Sequence, residues 1–499
     1  MDIEFDPIGI ILENKYIVLC YVGCGTFSSV WLCHDMTDKK DKKYKILKIL
    51  PIKNSKYCET EINVLKKISS YDCLYLNKLL NNFIFTHEKK EYTCLVFDLM
   101  AGSLQDILNL KKYKNGLPKQ TSIEIIKQIL HGLCILHEKC NIIHADIKPE
   151  NILIKGHTNI ISKFIHKLES SSLYKKTYSV IENYNVTQNK KELQIIKKNI
   201  RNIIIDLYTN YDDLISSNMM CDILNIFDNS EECEEESETT ETNNDSDDSE
   251  KSSYTTISDR TSDHGETDIC LDNITIISPN FYNRFLCDKN CNIHPHKNNF
   301  MDLHSNESFD DETENLLDDN YILTNPQICI ADFGNCYNID NITHGDLQTR
   351  YYRSPEIILR LDVNYACDIW ALGCLFYELL TGKLLFRPSK TKFINRDKSH
   401  IYDIYRKIGI IPDEIINKSR KKNIFFRKDG TIKNLYCFVP SPFHTKLLKI
   451  LSNDEKNDDD NVDNNSTNMQ IISLLQNMLN TNYNLRYSAK KCLDHELFN

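Results

Sequence analysis

Four short stretches of this 499-residue chain carry side chains whose types and spacing suit chemistry on a polyphosphate. The string Ile143-His144-Ala145-Asp146-Ile147-Lys148-Pro149-Glu150-Asn151-Ile152-Leu153 sets a carboxylate, an ammonium and an amide oxygen close together. Phosphoryl transfer needs a carboxylate to orient the attacking hydroxyl and take its proton, and cations to meet the charge developing on the transferred group. Asp146 suits the first role and Lys148 the second, and Asn151 offers an oxygen to a magnesium ion. Asp332, in Ile330-Ala331-Asp332-Phe333-Gly334, offers a second magnesium ligand. In Ile46-Leu47-Lys48-Ile49, strand alternation puts Ile46 and Lys48 on one face, so Lys48 can turn inward toward the α- and β-phosphates. A buried lysine needs a partner, and Glu61 in Glu61-Ile62-Asn63-Val64-Leu65 supplies it, with Glu59 as the alternative. The fourth stretch is Gly23-Cys24-Gly25-Thr26-Phe27-Ser28-Ser29-Val30, where glycines let a hairpin close over phosphates. An ordinary glycine hairpin reads the same way, so this stretch takes its meaning from the other three.

These residues need elements to hold them. Tyr16–Cys20 and Ser29–His34 read as strands flanking the glycine turn, with Tyr44–Leu50 and Cys94–Leu99 as further strands. Thr121–His137 carries apolar residues at Ile125, Ile126, Ile129, Leu130, Leu133 and Leu136, the spacing of a buried helical stripe. Ile369–Leu380 and Met469–Leu479 read as apolar helices, the second preceded by a polar, acidic stretch over Asn453–Asn468. Between residues 156 and 326 the patterning changes. Glu231–Glu250 is almost all acidic, Ser, Thr and Asn, too poor in apolar surface to offset the entropy of ordering, so its surroundings read as disordered. Glu192–Tyr211 differs, with helical spacing through Leu193, Ile196, Ile200, Ile204 and Leu207, and is expected to dock on the folded body.

Bulk properties narrow the class. The net charge of -11 argues against a nucleic-acid partner and is compatible with basic peptides, although much of the acid sits in the one run. Asp2, Glu4 and Asp6 break any early apolar stretch, and no apolar run reaches the ~20 residues that span a bilayer, so neither secretion nor membrane insertion is expected. The 19 scattered cysteines read as reduced thiols of a cytoplasmic or nuclear protein. Cys287, Cys291, His294 and His296 have ligand chemistry suited to zinc but match no familiar spacing, and read as solvated loop residues.

Together the motifs resemble the eukaryotic protein kinases, over nearly everything outside residues 156–326. The closer similarity is to the SR-protein kinases of the CMGC group. It rests on Gly25-Thr26-Phe27-Ser28-Ser29-Val30-Trp31-Leu32-Cys33, His137-Glu138-Lys139-Cys140-Asn141-Ile142-Ile143-His144, Leu347-Gln348-Thr349-Arg350-Tyr351-Tyr352-Arg353-Ser354 and Phe425-Phe426-Arg427-Lys428-Asp429-Gly430. The resemblance implies an α+β, bilobal kinase fold: a small β-rich N-lobe and hinge over residues 1–100, a larger helical C-lobe over 101–155 and 327–499, and a long, largely disordered insert over 156–326 between its two parts. It implies ATP and magnesium as cofactors, a protein serine/threonine substrate that could be basic or Arg/Ser-rich, and a monomer. Val22, Gly23, Gly25, Ser28 and Val30 would cover the nucleotide. Phe97 would guard the pocket, Asp98-Leu99-Met100 would bond adenine, and Leu153 would form its floor. Glu356 of Ser354-Pro355-Glu356 would pair with Arg486, and Asp368 would brace the catalytic-loop backbone. Lysine two residues after the catalytic aspartate is the serine/threonine pattern. A pseudokinase scaffold would have lost Lys48, Asp146, Asn151 or Asp332, and all four are present.

The departures are informative. Most kinases have arginine before the catalytic aspartate to bind a phosphorylated activation loop, and this chain has Ala145. Asp346 stands where related kinases carry an activating tyrosine, so constitutive activity is expected. Ile46 replaces the usual small alanine of the pocket roof. Where SR-protein kinases hold arginine-rich peptides with acidic groups, this chain has Lys383, Ser399 and Arg406, which should weaken such docking. Proline-directed substrates are the alternative.

Overall fold

The computed structural model describes residues 7–25, 28–37, 43–51, 55–156, single residues within 165–203, 325–339, 347–390, 394–428, 430–433, 441–453 and 461–499. The acidic run over Glu231–Glu250, the Cys287/Cys291/His294/His296 group and Asp346 lie outside them.

Alternating β-branched and aromatic residues build the first layer, where side chains stand on both faces of a pleat. Strands β1 (Ile11–Leu12), β2 (Tyr16–Gly25), β3 (Ser28–Asp35), β4 (Tyr44–Pro51), β5 (Asn81–His87) and β6 (Lys90–Asp98) form one antiparallel sheet in the order β1-β2-β3-β4-β6-β5. Strand β2 runs through the glycines rather than ending at Cys20, with register breaks between Val18 and Cys20 and between Tyr21 and Gly23. Such bulges bend a strand, and here they aim the Gly23–Gly25 arm along Ser28–Val30. Helix α1 (Ser55–Ser69) places Cys58, Leu65 and Ile68 against the sheet with Glu61 on the same inward face. Strand β5 was not foreseen from the sequence, because half-exposed Asn, Thr and His dilute its alternation.

The second layer is helical. Strand β7 (Gly102–Ser103) leads into α2 (Leu104–Leu108), where Ser103 and Asp106 cap each other reciprocally. Helix α3 (Lys119–Cys134) buries the expected stripe completely and continues as a wider π turn over Ile135–Lys139. Strands β8 (Ile142–Ile143), β9 (Ile152–Ile154), β10 (Ile328–Ile330) and β11 (Tyr337–Asn338) make two small sheets, β10-β9-β7 and β11-β8. Because Ile154 pairs with Ile328, the intervening chain leaves and returns at one point and leaves the sheet register intact. Within it, Ile195, Lys198–Ile200, Asn202 and Ile203 are helical, and Ile200 and Ile203 are buried in the main core, as is Leu168.

The remaining helices are α4 (Pro355–Ile358), α5 (Ala366–Thr381), α6 (Arg396–Lys407), α7 (Asp413–Lys418), α8 (Lys422–Phe425), α9 (Phe443–Asn453), α10 (Asn461–Met478) and α11 (Ala489–Leu493). Helix α5 is apolar nearly all round and buried along its length, the signature of a central helix. It ends at Gly382 in the left-handed conformation, where an added Cβ would lie 2.3 Å from the Lys114 carbonyl oxygen. Helix α10 begins at Asn461, earlier than the apolar run at Met469 suggests. Asn468 is fully buried inside it, where its side chain accepts from Lys119 Nζ at 3.0 Å, so the polar residues belong to the helix.

Candidate active site

The cleft between the β-rich and helical layers is built from β3, β4 and β6 above and from the β9 and β10 ends below. It encloses about 480 Å³, space open to solvent included, and is lined by Val30, Ile46, Lys48, Glu61, Asn77, Phe97, Asp98, Met100, Leu153, Ala331, Asp332 and Phe333. One end is apolar, between Ile46, Phe97, Met100 and Leu153, and the other is charged. Ile46 and Lys48 do share a strand face into the cleft, while Lys45 turns the other way to Asp98 at 3.1 Å. The Gly23, Gly25 and Ser28 backbone forms the hairpin Gly23↔Val30, Cys24↔Ser29, Gly25↔Ser28 at the cleft's upper edge, and Val22 is buried beside it.

At the charged end Lys48 Nζ lies 2.8 and 3.0 Å from the two Glu61 oxygens and 3.3 Å from Asp332 Oδ1. Glu61 is 2% exposed, whereas Glu59 faces solvent, so helical phase selects the partner. Burial opposes the charge on Lys48, but Glu61 and Asp332 outweigh it and hold its pKa above the ordinary lysine value. Burial raises Glu61, Lys48 pulls it back down, and Asp332 adds to the rise. For Asp332 burial also works upward, yet Lys48, the Tyr57 hydroxyl and Lys148 together keep the carboxyl below the usual range. Asp332 itself is held at φ 61°, a left-handed strain that turns its carboxylate into the cleft.

The Ile143–Leu153 loop supplies the second cluster. Asp146 Oδ2 lies 3.0 Å from Lys148 Nζ, and Asn151 Nδ2 donates to the Asp146 carbonyl oxygen at 2.8 Å and to Oδ2 at 3.2 Å. Sequence reasoning assigned no role to Thr349. Its backbone N–H and hydroxyl both donate to Asp146 Oδ1, at 3.1 and 2.7 Å, and the hydroxyl accepts from Lys148 Nζ at 3.1 Å. Thr349 is remote from the loop in sequence and only the chain fold brings it there. The available signal was its place in Leu347-Gln348-Thr349-Arg350, a stretch singled out for likeness alone.

The loop backbone is braced from below. Asp368 accepts from the backbone N–H groups of His144 and Ala145, both at 2.8 Å, and from His137 Nε2 at 2.9 Å. The Asp146 N–H donates to His144 Nδ1 at 3.3 Å, so Nε2 carries the proton and donates to the Ala331 carbonyl oxygen at 3.0 Å. That single imidazole links the loop to the strand carrying Asp332. Ala145 adopts φ 63° and is buried among Ile143, Leu347, Ile357 and Cys367. Glu356 and Arg486 form a buried bidentate pair at 2.6 and 3.0 Å, with Trp370 beneath the guanidinium.

A divalent cation would find two donors here. The Asn151 side-chain oxygen is buried without a hydrogen-bond partner, and no described residue bonds Asp332 Oδ2. One carboxylate and one amide oxygen suit a hard cation that brings water and phosphate oxygens of its own. They do not suit a site enclosed by protein ligands, and among the described residues no cluster of three His, Cys, Asp or Glu could hold a metal. No helix among them is long and apolar enough to cross a membrane.

Known proteins share this organisation. The protein kinase domain family model matches residues 16–169 and 310–498. A serine/threonine-protein kinase of Acanthamoeba polyphaga mimivirus is 33% identical over 449 residues, covering 88% of this chain and 81% of that protein. SRSF protein kinase 3 of Mus musculus is 26% identical over 516 residues, 99% of this chain and 88% of its own, and protein kinase dsk1 of Schizosaccharomyces pombe is 25% identical over 438 residues, 85% and 71%. The chain therefore belongs to the protein kinase domain family, as a serine/threonine kinase similar to the SR-protein kinases.

Proposed function

We propose that this serine/threonine kinase works on Mg²⁺–ATP in the described cleft, and that it does so without phosphorylation of its activation segment. Bound ATP and magnesium would bring the γ-phosphoryl group and its charge compensation. Asn151 and Asp332 would hold the magnesium, Lys48 would hold the α- and β-phosphates, and Met100 and Leu153 would bracket the adenine. Asp146 orients the acceptor hydroxyl and takes its proton, and Lys148 stands against the charge on the transferred group.

The observation carrying the constitutive reading is that the working arrangement stands on unmodified residues. Lys48–Glu61 is formed, Asp332 faces the cleft and Thr349 holds Asp146, while Ala145 removes the usual phosphate anchor. The experiment is a positional-scanning peptide array with enzyme made in bacteria and treated with phosphatase, using Asp146→Ala as the blank. Phosphorylation above that blank is expected. An inactive phosphatase-treated enzyme would remove the constitutive reading.

For the acceptor, proteins named SRSF protein kinases point to arginine- and serine-rich chains. The surface favours a different preference. Lys383, Arg387 and Lys390 are exposed in the segment that follows α5, and like charge repels an arginine-rich peptide. Gln348 is held at φ 63°, and its carbonyl oxygen is taken by Arg353 Nε at 3.2 Å and Nη2 at 2.9 Å. A substrate amide following the acceptor would lack that carbonyl as a partner, which favours proline there. Proline-containing peptides should lead the array, and leading Arg/Ser peptides would reverse this preference.

A further inference from the structure

Helix α1 brings a second group to the charged cluster besides Glu61. Tyr57 lies one helical turn earlier, on the same face, and its hydroxyl donates to Asp332 Oδ1 at 2.9 Å. The ring packs so closely on the following turn that a Cβ at Gly334 would fall 1.9 Å from Tyr57 Cζ. Lys48 Nζ lies 5.7 Å from the ring centroid. Tyr57, Asp332, Lys48 and Glu61 thus form a closed chain of contacts at 2.9, 3.3 and 2.8 Å that begins and ends on one helix.

We infer that Tyr57 is a positioning residue that clasps helix α1 to the Asp332-Phe333-Gly334 turn, holding the cation-binding carboxylate and the Lys48–Glu61 pair in working geometry without a phosphate. The inference rests on the constitutive reading above and names the contact that makes it work. Both bonds to Asp332 from this cluster end on Oδ1. The tyrosine therefore fixes the carboxylate's rotation and leaves Oδ2 unbonded by any described residue, as Asn151 Oδ1 is left buried without a partner. Groups that orient a metal ligand from behind commonly change metal affinity or activity by about 10–100-fold when removed. The far end of the helix is tied independently. Lys67 Nζ donates to the Cys140 carbonyl oxygen at 2.5 Å, and the Tyr71 hydroxyl donates to that of Lys139 at 3.1 Å. With both ends fastened to the helical layer, a swing of α1 away from the cleft must break the Tyr57 bond and the Lys48–Glu61 pair together.

The test uses the full chain, phosphatase-treated, with Tyr57→Phe, which keeps ring volume and removes only the hydroxyl. Three quantities are read: melting temperature, the Mg²⁺ concentration giving half-maximal activity at saturating ATP, and hydrogen exchange of the α1 amides in ligand-free protein. Calorimetric titration of Mn²⁺ with a non-hydrolysable ATP analogue gives a fourth, independent of turnover. We expect a nearly unchanged melting temperature, a roughly ten-fold higher Mg²⁺ requirement with activity recovered at high Mg²⁺, weaker Mn²⁺ binding by a similar factor, and faster α1 exchange. A lower melting temperature with unchanged cation dependence makes Tyr57 a packing residue only and overturns the inference. So does an active parent with a variant that matches it throughout. A parent inactive after phosphatase treatment overturns the inference and the constitutive reading together.

Discussion

Replacing Thr349 by valine tests whether the acceptor-side carboxylate is held as the structure describes. Valine preserves the β-branched shape and deletes one hydroxyl, which donates to Asp146 Oδ1 at 2.7 Å and accepts from Lys148 Nζ at 3.1 Å. Hydrogen bonds to charged groups are worth about 1.5–3 kcal/mol each. The Thr349 backbone N–H stays bonded to Asp146 Oδ1 at 3.1 Å, and Lys148 at 3.0 Å and Asn151 Nδ2 at 3.2 Å stay on Oδ2, so the carboxylate keeps three anchors. A net loss of about 2 kcal/mol, in effect one bond, is expected in the transition state, which lowers kcat by roughly 30-fold. Thr349 does not line the nucleotide cleft, so KM for ATP should hold steady. Thr349→Ser restores the hydroxyl and should run within about three-fold of the parent, since only a methyl group is lost. Steady-state phosphorylation of a fixed peptide at saturating and varied ATP gives all three quantities. Valine and serine variants equally slow, or a valine variant as fast as the parent, would refute the reasoning.

Two further outcomes follow from buried charges. Arg486→Met strands the Glu356 carboxylate, both side chains being fully buried in the parent, and should destabilise the protein by about 3–5 kcal/mol. Adding Glu356→Leu should restore a measurable part of it in denaturant titration, and a double variant no better than the single would contradict this. Glu378, which accepts from the Tyr352 hydroxyl at 2.5 Å, has its pKa pushed up to about 7 by burial despite that bond. Its folded pKa lies above its ordinary 4.5, so the folded state binds the proton more tightly, and stability falls as pH rises from about 4.5 to 7. Glu378→Gln should therefore gain roughly 2–3 kcal/mol over the parent at pH 8 and little at pH 5. Equal differences at both pH values would rule this out.

What was legible in the sequence was chemistry with a local spacing. Asp146, Lys148 and Asn151 sit on one loop, so their order alone brings them together, and the period-2 pattern around Lys48 decided which way it points. Helical phase made Glu61 the better of two candidates, and the structure buries Glu61 and exposes Glu59. The apolar stripes of α3 and α5 were readable because burial imposes a period on them. Element ends were less so: β2 extends past Cys20 through bulges, and α10 starts in polar residues whose partner Lys119 is on another helix. Alternation does not report a bulge, and hydropathy does not report a buried asparagine.

Tertiary structure decided everything that depends on separate segments meeting. Thr349 reaches Asp146, and Tyr57 reaches Asp332, across separations that no local periodicity encodes. Ala145 could be read as a missing guanidinium, but only packing shows that it is buried among Ile143, Leu347, Ile357 and Cys367. The sequence by itself determined which groups could move a phosphoryl group. The fold decided which of them are held and by what, because distances between remote side chains are set by the packing of whole elements.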